Sequence, residues 1–179
     1  MKYIIFAILL LPISSHAGNQ VFNAGLEQAT PGYLGSTPLF PAGFKLYKYG
    51  TLTQSYVYPA IGYNGSIGLR LTVKNAAPKS GSWITQTPGY NMSVVAGTWR
   101  TYRDWTKCTK TMGLRAVYTR ADGSQFAIHY PSYTVGNNLW NKIQYNIQIP
   151  PGAVKVAIGR FAYQDSSCII DNVYFGSVL

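Results

Sequence analysis

Residues 67–74 read IGLRLTVK, in which Ile, Leu, Leu and Val alternate with Gly, Arg, Thr and Lys. A period of two places the four apolar side chains on one face of a β-strand and the others on the opposite face. Four later segments repeat the alternation, at residues 114–118, 126–130, 143–149 and 154–158. Clusters of Gly, Pro, Asn and Asp separate these segments. The sequence therefore predicts an all-β fold, as a sandwich or barrel.

The first 17 residues have the pattern of a secretory signal peptide. Lys2 precedes an apolar run at residues 4–11, and small residues stand at Ser15 and Ala17. The run is shorter than the roughly 20 apolar residues that a spanning helix needs. We predict cleavage after Ala17, a single domain over residues 18–179, and a soluble protein that is secreted to the periplasm or the exterior.

The chain is strongly basic: Lys and Arg number 15, Asp and Glu only 5, and the formal net charge is +10. The basic residues are scattered from Lys45 to Arg160. Such a charge favours polyanionic partners, among them acidic polysaccharide, lipopolysaccharide or an anionic membrane, and export argues against nucleic acid. The alternative is that the charge only aids solubility.

Two cysteines occur, Cys108 and Cys168. Because an exported chain meets an oxidising compartment, we predict a disulfide between them, with two separate thiols as the alternative. In the last strand, alternation places Asp171 on the apolar face with Val173 and Phe175, and Cys168 on the opposite face. A carboxylate on an apolar face requires hydrogen bonds, a cation or a metal.

Five segments, in order over about 150 residues, resemble those of the jelly-roll carbohydrate-binding modules that are appended to bacterial polysaccharide-degrading enzymes. They are FNAGLE at 22–27, similar to an N-x-G-F-E opening; NGSIGLRL at 64–71, similar to G-x-x-S-L-R-L; VAGT at 95–98 followed by Tyr102, similar to P-G-x-x-Y; Trp140 with IQIPPGA at 147–153, similar to a Trp-led strand ending in V-P-x-G-A; and IDNV at 170–173, where the family has I-D-D-V.

The resemblance implies a galactose-binding-like jelly-roll β-sandwich of two antiparallel sheets. It also implies a structural calcium ion between the opening Glu27 and the closing Asp171, with carbonyls and water as further ligands. Asn172 replaces the second Asp of the family, so a purely hydrogen-bonded Asp171 is the alternative. No other cofactor is indicated.

The resemblance further implies that sugar binds to aromatic rings on a sheet or at loop tips, since pyranose CH faces stack on flat rings. The predicted ligand-binding residues are Trp83, Arg103, Trp105, His129, Tyr133, Phe161 and Tyr163. We expect Trp83 and Tyr133, like Tyr90, in loops and the others on outward strand faces. Packing in the sandwich is the alternative for each. The inner face of strand 99–109 stays open, because Asp104 occupies one face and Arg103 and Lys107 the other.

Composition argues against an enzyme. Glycoside hydrolysis usually needs two carboxyl groups that flank the bond, and Asp104 alone is suitably placed on a strand. The catalytic alternative is a hydrolase or, better supported, a lyase that uses Arg, Tyr and His129 on an acidic polysaccharide. We therefore expect an exported, non-catalytic protein that binds a polysaccharide or cell-surface glycan, with acidic glycans favoured. The alternative is an adhesin, effector or surface protein that contacts protein or anionic membrane on the same scaffold.

Overall fold

The computed structural model describes residues 19–21, 24–26, 29–30, 40–78, 80–86 and 91–178. It is built from antiparallel β-strands in two main sheets, so the predicted all-β sandwich is confirmed. The predicted signal peptide, Glu27 and Tyr90 lie outside the described residues. Within those ranges, no helix has the length and apolar character needed to span a bilayer.

The strands of the described chain are β1 Ala29–Thr30, β2 Phe40–Pro41, β3 Phe44–Tyr49, β4 Thr53–Ile61, β5 Ile67–Lys74, β6 Gly81–Gln86, β7 Met92–Ser93, β8 Trp99–Cys108, β9 Gly113–Arg120, β10 Gln125–Tyr130, β11 Trp140–Gln148, β12 Ala153–Ala162 and β13 Ser166–Ser177. The first sheet has the order β10-β9-β12-β6-β3, with β7 beside β12. The second sheet has the order β11-β8-β13-β5-β4, and β1 pairs with β2. A 3-10 turn, Tyr63–Gly65, follows β4.

The core lies between the two main sheets. The second sheet contributes Leu69, Leu71 and Val73 of the IGLRLTVK strand, each 1% exposed. The first sheet contributes side chains that are fully buried, among them Leu114, Ala116, Tyr118, Val156 and Ile158. The period-two faces predicted from the sequence are therefore confirmed for these strands, and their apolar burial is the main force that holds the sheets together.

Val154 is an exception, since it was predicted on the inner face of β12 and is 39% exposed. The register of β12 against β9 shifts between Ala153 and Lys155. A β-bulge adds one residue to a strand and reverses the alternation on one side of it. Ala153 consequently takes the inward position ahead of Val156.

A second bulge corrects the predicted faces of β13. Its register against β8 shifts between Asp171 and Tyr174, and Asn172 has φ +50°. Asn adopts this left-handed conformation more readily than most residues. Cys168 and Val173 therefore both belong to the core, while Asp171 lies on the outer side, under the turn after β4.

The predicted disulfide between Cys108 and Cys168 is present. The two residues face each other directly in the pairing of β8 with β13. Both are fully buried in the core, so the predicted position of Cys168 on the outer face is wrong.

An ion pair links the sheets through the core. Asp104 of β8 and Arg160 of β12 are both fully buried, with Nε–Oδ2 2.7 Å and Nη2–Oδ1 2.8 Å. The Tyr102 hydroxyl donates to Asp104 Oδ2 at 2.7 Å, and Arg160 Nη1 donates to the Ser132 carbonyl at 2.9 Å. Tyr102, Asp104 and Cys108 thus mark the inner face of β8, which the sequence had left open.

The surroundings of this ion pair raise the pKa values of both Tyr102 and Arg160. Burial, with the adjacent Asp104 carboxylate, raises the pKa of Tyr102 well above its ordinary value. Burial alone would lower the pKa of Arg160, but the facing Asp104 carboxylate outweighs it and raises that pKa. Arg160 therefore stays charged and Tyr102 stays a neutral donor.

Candidate functional site

A row of aromatic rings crosses the outer face of the first sheet. Phe161 of β12 faces Trp83 of β6, and Trp83 faces Tyr47 of β3. Because directly opposed residues share one face of a sheet, their rings meet. The Tyr47 and Trp83 rings stack with centroids 5.4 Å apart, and Tyr49 stacks on Phe161 at 5.6 Å. We call these four side chains the aromatic row.

Gly159 of β12 allows the backbone of β6, the strand that carries Trp83, to pass close to it. A Cβ built at position 159 would lie 1.9 Å from the Ile84 carbonyl oxygen and 3.1 Å from the Thr85 Cα. Both neighbours are backbone atoms, so no side-chain movement could relieve the contact. A glycine is required where two backbones approach so closely.

Arg115 stands at the centre of the same face. It lies on β9, directly opposite His129 of β10 and Gly159 of β12. Its guanidinium carbon lies 5.0 Å from the Trp83 ring centroid, 5.6 Å from that of Phe161 and 5.9 Å from that of Tyr49. Cations over ring faces are attracted by the ring quadrupole. The aromatic row thus holds a guanidinium group in place.

No carboxylate neutralises Arg115 among the described residues, where the ion pair found is that of Asp104 with Arg160. The Arg115 Nε is buried and has no hydrogen-bond partner within that part of the chain. A buried donor without a partner is costly to keep. Arg115 is therefore a positioned and unpaired cation.

An open groove of about 590 Å³ runs beside Arg115 and the aromatic row. Its lining among the described residues is Tyr47, Lys48, Tyr49, Trp83, Thr85, Gln86, Asn91, Arg115, Val117, Gln125, Phe126, Ala127 and Ala157. This lining contains two cations and no carboxylate. Its uncharged polar members include Thr85, Gln86, Asn91 and Gln125, and Gln86 and Asn91 each have a buried atom without a hydrogen-bond partner, as does Trp83 Nε1. Charged and polar side chains therefore accompany the rings along the groove.

Three further side chains extend the aromatic row. His129 packs edge-to-face on Phe161 at 5.1 Å, and Tyr163 lies 6.1 Å from Phe161. Tyr133 and Tyr163 are 52% and 44% exposed. A Cβ at Gly113 would contact both of these tyrosine rings, at 3.6 and 3.8 Å. The exposed rings of Tyr133 and Tyr163 therefore lie at the end of the aromatic row that Phe161 forms.

Burial lowers the pKa of His129, and the charge of Arg115 lowers it further. The imidazole is therefore neutral at neutral pH and gains its proton only in more acidic solution.

No protein-family model matches the sequence, and no curated protein matches it. Several solved structures match the fold. The enzymatically active domain of bacteriophage CBA120 tailspike protein 4 aligns at TM-score 0.61 and 19% identity over 89% of this chain, which spans 21% of that protein chain. The C-terminal family 22 carbohydrate-binding module of Clostridium thermocellum Xyn10B aligns at TM-score 0.53 and 16% identity, over 88% of this chain and 96% of the module.

The module TmCBM61, solved with β-1,4-galactotriose, aligns at TM-score 0.51 and 15% identity, over 90% of this chain and 99% of the module. The chain therefore shares its two-sheet β-sandwich fold with these carbohydrate-binding modules. The resemblance identified from the sequence motifs is thereby confirmed at the level of the fold.

Five of the seven predicted ligand-binding residues lie on or beside the outer face of the first sheet: Trp83, His129, Tyr133, Phe161 and Tyr163. Trp83 lies on β6, so its predicted place in a loop is wrong. Phe161 is only 3% exposed because its neighbours cover it. It therefore supports the other rings of the aromatic row and offers almost no surface to a ligand. Tyr133 is in the loop between β10 and β11, as predicted.

The other two predicted residues, Arg103 and Trp105, lie on the outer face of the second sheet. The Trp105 ring stacks on Tyr63 with centroids 3.7 Å apart, and Arg103 lies over the Tyr174 ring at 5.0 Å. They are therefore separated from the groove by the full thickness of the sandwich.

The sequence reasoning missed Tyr47, Tyr49 and Arg115. Arg115 was detectable, since it alternates with the inward Leu114 and Ala116. Tyr47 and Tyr49 alternate in the same way along FKLYKY of β3. They lie near Trp83 because β3 pairs with β6, and the alternation within β3 does not specify which strand it pairs with.

The surroundings of Asp171 bear on the predicted calcium ion. Oδ2 accepts hydrogen bonds from the Tyr63 N–H at 2.8 Å and from the Ser66 hydroxyl, and Oδ1 accepts one from the Asn172 N–H at 2.6 Å. Three donors compensate the carboxylate without a cation, and the described residues offer no group of three His, Cys, Asp or Glu side chains for a metal. Because Glu27 lies outside those residues, calcium binding stays a prediction.

Proposed function

We propose that this protein is an exported, non-catalytic glycan-binding protein that holds an acidic glycan in the groove of the first sheet. The observation that carries the proposal is Arg115, an unpaired guanidinium fixed by three rings beside that groove. The signal-peptide pattern of residues 1–17 supports export.

The groove combines the two kinds of contact that an acidic sugar needs. Tyr49, which is 42% exposed, offers a ring on which a pyranose can stack. The planar guanidinium of Arg115 can donate two parallel hydrogen bonds to a carboxylate or sulfate. The exposed amide of Gln125, which also lines the groove, can bond to sugar hydroxyls. The modules aligned above, one of them solved with a galactotriose, support carbohydrate as the ligand class.

A non-catalytic role is supported by the positions of the acids. Asp104 is paired inside the core with Arg160, and Asp171 is buried under the turn after β4. Asp122 and Asp165 bond to backbone N–H groups in loops. None of these four lines the groove, so they do not form the carboxyl pair that hydrolysis requires.

Trp83→Phe tests the groove. This change keeps a ring in the row but replaces the strongest ring partner of the Arg115 guanidinium by a weaker one, so binding of an acidic oligosaccharide should weaken about 3- to 10-fold. Binding is measured by calorimetry after a glycan array of acidic and neutral sugars has supplied the oligosaccharide. Trp99→Phe is the matched control, because Trp99 lies at the start of β8 in the second sheet and is 52% exposed.

Several outcomes would overturn the proposal. An array without binding, combined with salt-sensitive binding to anionic vesicles, would favour the alternative of a membrane or protein partner. Equal affinities for Trp83→Phe and wild type would remove the groove from the ligand site. Release of unsaturated oligosaccharides from an acidic polysaccharide would make the protein a lyase.

His129 should make binding sensitive to pH. A bound anionic sugar beside His129 favours the imidazolium, so the complex takes up a proton that the free protein lacks. The affinity for an acidic oligosaccharide should therefore rise, by up to about tenfold, as the pH falls from about 7 to about 5. Calorimetry across this range checks it. The rise should be missing in His129→Gln, and a rise retained in that variant would assign the proton to another group.

A further inference from the structure

The outer face of the second sheet gathers four basic side chains. Lys107 and Arg70 both face Ile169, from β8 and β5. Lys142 faces Trp105, and Arg103 stands two residues before Trp105 on β8. Arg70 and Lys142 are exposed, and Arg103 and Lys107 are half-buried. We call these four side chains the basic face.

The described acids leave the basic face uncompensated. Asp171 is the carboxylate nearest in the register, facing Trp105, but it is fully buried and accepts three hydrogen bonds from its own surroundings. The ion pair found in the described part of the chain lies inside the core. Four neighbouring cations on one sheet face repel each other, which an anionic partner would relieve.

A cleft of about 330 Å³ opens at one end of the basic face. Arg103, Lys142, Trp105, Tyr174 and Asn172 are among its lining residues. Its walls are held by ring contacts, since Tyr63 stacks on Trp105 and Arg103 lies over Tyr174. Two cations beside supported rings in a cleft of this size suit one anionic sugar residue.

We propose that the basic face is a second site for an acidic polysaccharide, which binds carboxylate or sulfate groups between Arg103 and Lys142 and continues past Lys107 and Arg70. The partner is identified by charge: a polymer with regularly spaced anions matches a row of unpaired cations. The groove and the basic face lie on opposite sides of a two-sheet sandwich whose sheets are about 10 Å apart. The protein therefore bridges two strands of polysaccharide, with an avidity greater than either site provides.

The experiment uses the full protein and two carboxylated probes, a galacturonate hexamer and long-chain polygalacturonate. Calorimetry with the hexamer should give two ligands per wild-type protein, and one for Arg103→Met/Lys142→Met. The long polymer should be cross-linked by the wild type, seen as turbidity that the double variant does not produce. Lys110→Met/Lys155→Met is the matched control: it removes two positive charges from exposed positions that line neither the groove nor the cleft, and it should behave like wild type.

The bridging rests on the proposed function, because the groove is one of its two sites, but the outcomes test the second site separately. Two ligands still bound by Arg103→Met/Lys142→Met would overturn the second site and leave the groove intact. The second site would also be overturned if the wild-type protein bound only one hexamer and Arg115→Met bound none. Two ligands retained by Arg115→Met would instead overturn the role of the groove. If the double variant loses only binding to phosphatidylglycerol vesicles, the basic face is a lipid surface and the inference is wrong.

Discussion

Arg115→Met should bind an acidic oligosaccharide about 10- to 100-fold more weakly than the wild type, because the groove loses a charge-assisted pair of hydrogen bonds. Methionine keeps an unbranched apolar stem over the rings of Trp83 and Phe161, so the aromatic row is preserved. Calorimetry in the Arg103→Met/Lys142→Met background isolates the groove, since only one site titrates there.

Two comparisons make this result specific to the guanidinium. Arg115→Lys keeps the charge but not the planar pair of donors, and its affinity should fall between those of wild type and Arg115→Met. Lys48→Met removes an exposed charge at the rim of the groove and should change the affinity only slightly. An equal loss of affinity for a neutral oligosaccharide of the same length would contradict the assignment, since Arg115 would then act only through packing.

Asp104→Asn should lower the free energy of unfolding by about 3–5 kcal/mol, because it leaves the Arg160 guanidinium charged, buried and without its carboxylate. Chemical denaturation followed by tryptophan fluorescence measures the change. Such a loss is a large part of the roughly 5–15 kcal/mol that stabilises a typical domain. Groove binding should weaken with it, because Arg160 belongs to β12, the strand that also carries Phe161 and Gly159.

The control for this variant is Asp165→Asn, which alters a loop carboxylate that accepts one backbone hydrogen bond from Ala76. It should change stability by less than about 1 kcal/mol. Asp104→Leu combined with Arg160→Met should recover most of the loss, since a buried ion pair can be replaced by apolar groups of similar volume. A loss below about 1 kcal/mol for Asp104→Asn would contradict the account of the pair as a clamp between the sheets.

The sequence specified the strand faces wherever alternation was unbroken. Leu69, Leu71 and Val73 could be placed because side-chain direction in a strand is a local property. Val154 and Asp171 were misplaced because each adjoins a bulge, and Cys168 was misplaced because its face was counted across a bulge from Val173 and Phe175. A bulge reverses the faces without a clear mark in the composition. Asn172 was the available signal, since Asn is one of the few residues that tolerate a positive φ.

The groove could be predicted only in part, for a different reason. Aromatic type and parity selected Phe161, Tyr163 and His129, but a site on a sheet is assembled by strands that are distant in the chain. Trp83 joins Arg115 only because β6 and β9 both pair with β12. The ion pair of Asp104 with Arg160 is equally non-local. Nothing in the sequence therefore indicated that Asp104, a charged residue on the inner face of β8, has a partner there.

The position of the disulfide has a consequence for the cleavage of this chain by a protease. Cys108 and Cys168 enclose β9 to β12, and with them Arg115, His129, Phe161 and the exposed loop that holds Tyr133 and Leu139. A single cut in that loop would divide the backbone, yet both fragments would remain covalently joined beside the core. The nicked molecule would keep β9 and β12 paired, and with them Arg115 and Phe161 together on the first sheet.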